Sequence, residues 1–139
     1  MRIPLKLEYA CRVLVQLVPT FGTGKVRRIE ELGESEGISP NYLTQILNEL
    51  RTQGIVSSRR GKHGGYLLAR EPSQVSLLDI VHAVEGQHLL ETNPGPEGDS
   101  GSAVAATWDD VLFVLETRLA SVTIEDVSAK LRPELDFNI

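Results

Sequence analysis

The apolar positions of this chain fall into helical stripes interrupted once by a short β-rich stretch. Leu7, Ala10, Cys11, Leu14, Leu17 and Val18 recur at the i, i+3, i+4, i+7 spacing of one helix face, which predicts a first helix over residues 5–18. A short second helix is expected over 28–34, with Ile29 and Leu32 turned inward, and Gly37 breaks the chain after it. Leu43, Ile46, Leu47 and Leu50 mark the apolar face of a third helix. Ser39 stands ahead of it as a cap for the free N–H groups of the first turn, Pro40 suits the first helical position, and Gly54 supplies the left-handed residue that stops it. A short helix, a glycine-containing turn and a capped longer helix follow one another at helix-turn-helix spacing.

Residues 55–59 and 66–69 read as two strands, with Gly61, Gly64 and Gly65 around the tip between them. A helix-turn-helix followed at once by such a hairpin is a winged helix. Ser76 then caps a helix over 76–86, with Asp79 placed to complete a capping box, Leu77, Ile80, Val81 and Val84 facing the core, and Gly86 ending it. Pro94, Gly95, Pro96, Gly98 and Gly101 predict a flexible linker over 87–106. A last long helix is expected from Thr107 to Val122, striped by Trp108, Val111, Leu112, Leu115, Leu119 and Val122. After a linker, such a stripe needs an apolar surface, and pairing with the same helix of a second copy supplies one. Thr123 opens a short helix to about Leu131, and a solvated acidic tail follows. The expected fold is mainly α: a winged helix-turn-helix domain with a two-stranded wing (1–86), a linker or sensor arm (87–106), and a dimerisation helix with its tail (107–139).

Charge changes the picture locally. The net charge of -5 argues against nucleic acid only as an average. Residues 1–90 hold 11 Lys and Arg against 9 Asp and Glu, whereas 91–139 hold 3 against 10. No acidic residue falls between Arg51 and Arg70. Asn41, Thr44, Gln45, Asn48 and Arg51 lie off the apolar face of the third helix, and carry the amides, hydroxyl and guanidinium that can read base edges in a major groove. Arg59, Arg60, Lys62 and His63 collect on the hairpin tip, suited to a phosphate rail or a narrow minor groove. The single cysteine, Cys11, excludes an intrachain disulfide and every multi-cysteine metal site within one chain. No signal-like or membrane-spanning apolar run is present, so a cytoplasmic location is expected.

These residues resemble the Rrf-two type of bacterial winged helix-turn-helix regulators, which includes the iron–sulfur cluster regulator and the cysteine-metabolism repressor. The matching pieces are Tyr9-Ala10, Gly37-Ile38-Ser39, Tyr42-Leu43 with Gln45, Leu50-Arg51, Gly54, Val56-Ser57-Ser58, Arg60-Gly61 and Gly64 to Leu68. Leu77 to Ile80, Leu119 and Thr123-Ile124 extend the match. The resemblance implies a homodimer paired through its long helices, with Ser39, Asn41, Tyr42 and Gln45 at the major groove and Arg60 in the minor groove. It departs in the arm: cluster-binding members carry three cysteines there, and residues 91–101 carry none. Iron–sulfur clusters need thiolates as their main ligands. Cys11 offers one on a different element, and His88 and Glu8 do not make up the deficit. No cofactor or metal is therefore expected, and any effector is another small molecule or a protein.

The leading expectation is a transcriptional regulator, a homodimeric repressor bound to a pseudo-palindromic double-stranded DNA operator. A protein–protein interaction module on the same scaffold is the alternative, but it would favour aromatic and apolar anchors on the third helix over Asn, Thr, Gln and Arg. Catalysis finds no support, because Ser57 and Ser58 lie on a strand without a nucleophile elbow and the glycines sit between strands.

Overall fold

A computed structural model describes residues 2–92 and 95–131 of the chain. Six α-helices and one hairpin follow in order: α1 (Leu5–Leu17), α2 (Ile29–Glu36), α3 (Pro40–Thr52), β1 (Val56–Arg59), β2 (Gly65–Leu68), α4 (Leu77–Glu85), α5 (Gly101–Ser121) and α6 (Ile124–Ala129). Short 3-10 turns at Val18–Thr20, Pro72–Gln74 and Gln87–Leu90 connect them. The fold is the expected winged helix-turn-helix with a long helix behind it.

The core forms where α1, α3 and α4 meet. Ala10, Val13, Leu14 and Leu17 of α1, all four apolar residues of the α3 stripe, and Ile80 of α4 are fully buried. At about 25 cal/mol per Å2 of apolar surface, a buried leucine or isoleucine contributes roughly 1.5–3 kcal/mol, so this cluster holds the helices together. The α1 stripe is rotated slightly from expectation: Val13 is buried completely while Cys11 is only half-buried. The stop of α3 is as anticipated, with Gly54 at φ +74°.

The turn between α2 and α3 is drawn tight at Gly33. A Cβ there would lie 2.7 Å from the backbone oxygen of Ile38, inside any real contact distance. The hairpin is antiparallel, with Val56 opposite Leu68 and Arg59 opposite Gly65. Arg27 joins it as a one-residue third strand, because its N–H and carbonyl both bond Tyr66 at 2.8 Å.

A second backbone junction lies behind the wing. Leu77 donates to the Val122 carbonyl and Ile124 donates to the Val75 carbonyl, each at 2.8 Å, so Ser76 and Thr123 sit side by side. Both are N-caps with complete capping boxes, formed with Asp79 and Asp126. The backbone N–H of Thr123 holds the Asp126 carboxyl below its usual range.

The long helix begins at Gly101, six residues before the expected start. Ala103, Ala105 and Ala106 favour helix intrinsically, and this outweighs the helix-breaking Gly and Pro just before them. Asn93, Pro94 and the acidic tail from Arg132 lie outside the described residues.

Replacing Gly33 by Ala should push α2 away from the Ile38 carbonyl and destabilise the domain by about 1–3 kcal/mol. Urea unfolding followed by circular dichroism measures this, and an unchanged midpoint would contradict the close approach.

Candidate nucleic-acid interface

The exposed side of α3 is prepared by its buried side. With Leu43, Ile46, Leu47 and Leu50 locked inward, Asn41, Thr44, Gln45, Asn48 and Arg51 are all exposed. Among the described residues the side-chain amides of Asn41, Gln45 and Asn48 have no intramolecular hydrogen-bond partner, which leaves their donors and acceptors free for a ligand. Thr44 differs, because its hydroxyl donates to the Pro40 carbonyl at 2.9 Å. Ser39 acts as the cap, its oxygen accepting from the Tyr42 N–H at 3.3 Å. Tyr42 is half-buried, and its ring meets Tyr9 of α1 edge-on at 5.7 Å between centroids. The Arg12 guanidinium lies 5.8 Å from the Tyr9 ring centre, so a cation and two aromatics line up across α1 and α3.

The cations of the 51–70 stretch divide into two kinds. Arg60, Lys62 and His63 are exposed at the tip, and none of them forms an ion pair among the described residues. Arg51 and Arg59 each make an internal bond. Arg51 Nη1 donates to Ser58 Oγ at 3.3 Å, joining the last turn of α3 to β1. Arg59 Nη1 donates to the Gly24 carbonyl at 2.7 Å, joining the end of β1 to the turn before Arg27. Both guanidiniums keep other donors, so a phosphate could still be bound while the scaffold is braced.

Glu49 is the one carboxylate on α3, and Lys6 covers it at 2.8 Å. The contact spans 43 residues and has no local sequence signal. It reduces the negative charge next to a surface that would meet phosphates.

The apolar stripe of α5 splits in two. Leu112, Leu119 and Val122 are half-buried, and Leu119 packs against the domain's core. Trp108, Val111 and Leu115 remain exposed, joined by Val104 and Val114 from outside the expected stripe. No residue of this 21-residue helix is buried.

The chain belongs to the Rrf2 family. Residues 3–130 match the family described as iron-dependent transcriptional regulators. An HTH-type transcriptional regulator of Mycobacterium tuberculosis is 33% identical over 138 residues, covering 96% of this chain and 85% of that protein. The regulator IscR of Xenorhabdus nematophila is 31% identical over 130 residues, covering 91% and 79%. The solved structure of CymR, the global cysteine regulator of B. subtilis, superposes with a TM-score of 0.80 at 25% identity, covering 94% of this chain and 98% of that one. This Rrf2 chain is therefore a transcription regulator and not an enzyme.

Among the described residues the iron in the family's description has no fitting donor set. The chain holds one cysteine, and among the described residues no group of three or more His, Cys, Asp and Glu could hold a metal ion. Cys11 is itself a poor ligand: burial, helped by the nearby Glu8 charge, pushes its thiol up to about 11. Among the described residues, no helix is long and apolar enough to cross a membrane.

With its thiol at about 11 rather than 9.0, Cys11 should hold roughly a hundredfold less thiolate than a free thiol at mildly alkaline pH. Alkylation by iodoacetamide is expected to be correspondingly slow in the native protein and fast in urea. Equal rates in both states would show an accessible, reactive thiol.

Proposed function

We propose that this Rrf2 chain is a cytoplasmic homodimeric repressor that binds double-stranded DNA at a pseudo-palindromic operator. The observation that carries the reading is the row of amides on α3, Asn41, Gln45 and Asn48, which have no partner among the described residues, braced by Arg51 against a wing whose tip side chains Arg60, Lys62 and His63 form no ion pair among them. Asn and Gln side chains match adenine edges bidentately, and an exposed guanidinium such as that of Arg60 suits a narrow minor groove. Tyr42 places its ring on Tyr9 and leaves its hydroxyl for a phosphate; Ser39, Lys62, His63 and the remaining donors of Arg51 and Arg59 supply further backbone contacts.

Pairing of two copies through α5 supports the same reading. Val104, Trp108, Val111, Val114 and Leu115 form an exposed apolar surface too concentrated for a free helix. A two-fold axis through it gives two recognition helices and explains a palindromic site, with half-sites about one helical turn apart or a multiple of it. Because the donor set does not suit a cluster, control passes to an effector other than iron–sulfur, acting as a small molecule or a partner protein.

Binding to the DNA upstream of its own gene, measured by gel shift over a salt series, should weaken steeply as salt rises. Salt-independent binding would overturn the phosphate contacts. Gln45→Ala and Arg60→Ala should each cost about 1–3 kcal/mol of affinity, the first with relaxed specificity at one base pair per half-site.

Sedimentation should give a dimer for the unaltered chain. The double substitution Trp108→Glu and Leu115→Glu should give monomers with an intact circular dichroism spectrum. A dimer that survives both substitutions would move the pairing surface off α5.

A further inference from the structure

The basic stretch ends at Arg70, and its guanidinium turns away from the wing tip toward the back of the domain. Arg70 Nη2 donates to the Gln74 carbonyl at 2.6 Å and to Asp79 Oδ2 at 3.1 Å. The same Asp79 oxygen accepts the Ser76 N–H at 3.0 Å, so one carboxylate closes the capping box of α4 and holds the arginine. Ser76 is in turn paired with Thr123, where α5 passes into α6. Among the described residues no other ion pair reaches α4.

Position gives this clasp its consequence. Leu68 ends β2 and Ala69 closes the wing base by donating to the Ile55 carbonyl at 2.9 Å. Arg70 is the next residue, so the clasp acts on the root of the wing. A two-stranded hairpin is marginal by itself, and the direction of its tip depends on how the root is held. We propose that Arg70 is a positioning residue for DNA binding: through Asp79 it fastens the root of the wing to the first turn of α4, and it does not itself touch DNA. The proposal rests on the DNA-binding reading and adds a link from α4 to the wing. The Ser76–Thr123 pairing in turn ties this end of α4 to the turn between α5 and α6.

The test uses the full chain and a DNA duplex selected from a randomised pool on the unaltered protein. Both partners are half-exposed, and ion pairs of that kind contribute modestly, so Arg70→Gln should weaken binding about two- to fivefold. The slope of log affinity against log salt should stay unchanged. Arg70→Lys should restore most of the affinity. In a background with Arg60, Lys62 and His63 all changed to Ala, whose wing tip has already lost its DNA contacts, Arg70→Gln should have little further effect. Amide exchange in β1 and β2 of the free protein should be faster in Arg70→Gln. Asp79→Asn keeps an acceptor for the Ser76 N–H, loses the charge facing Arg70, and should reproduce the phenotype if Arg70→Gln folds poorly. A salt slope reduced by about one would place Arg70 on a phosphate and overturn the proposal. Full loss persisting in that triple-Ala background, or no loss at all in the otherwise unaltered chain, would overturn it too. Failure of the unaltered chain to select any duplex would instead overturn the DNA-binding reading itself.

Discussion

Everything on the reading face depends on the burial of four side chains on the other face of the same helix. Leu43, Ile46, Leu47 and Leu50 are wholly removed from solvent between α1 and α4. Successive helical residues are about 100° apart, so a slip of one position would turn a polar residue into the core and an apolar one outward. The cost of burying an unpartnered amide or guanidinium makes that slip prohibitive. The orientation of Asn41, Gln45 and Asn48 is thus a property of the core, and the contacts that brace α3, from Lys6 and from Arg51, refine an arrangement already settled there.

Much of this was legible because it is local. The cap at Ser39, the spacing of the α3 stripe and the stop at Gly54 lie within sixteen residues and agree with one another. The capping box of Ser76 and Asp79 and the glycine-tipped hairpin are equally short-range. What escaped was either too small to have a period or too distant to have a pattern. Arg27 pairs with Tyr66 as a single residue, which leaves no alternation to see. Lys6 finds Glu49 across 43 residues and Arg59 finds Gly24 across 35. The start of α5 was hidden for a third reason: glycine and proline dominated a composition window that also contained the alanines of the first turns.

The candidate interface divides along the same line. Residue types and helical spacing marked the amides of α3 and the tip cations, and the structure leaves these side chains exposed. It also shows that chemically similar residues have different tasks. Thr44 bonds its own helix, and Arg51, Arg59 and Arg70 brace the scaffold, while Arg60 has no such partner among the described residues. A count of positive charge along the chain cannot make that distinction, because it depends on which carbonyl or carboxylate the fold brings within reach.

The long helix α5 carries a different kind of consequence. A stretch of 21 residues, about 30 Å of helix with no side chain buried and only Ala105, Leu112 and Leu119 half-buried, draws little support from its own copy of the chain. Under the proposed pairing, its order comes from a second molecule and is subject to mass action. The concentration of complete readers would then rise with the square of protein concentration when copies are few. The regulator's abundance would thereby become a signal in its own right, with a threshold below which the operator is left empty even though every chain carries an intact reading helix.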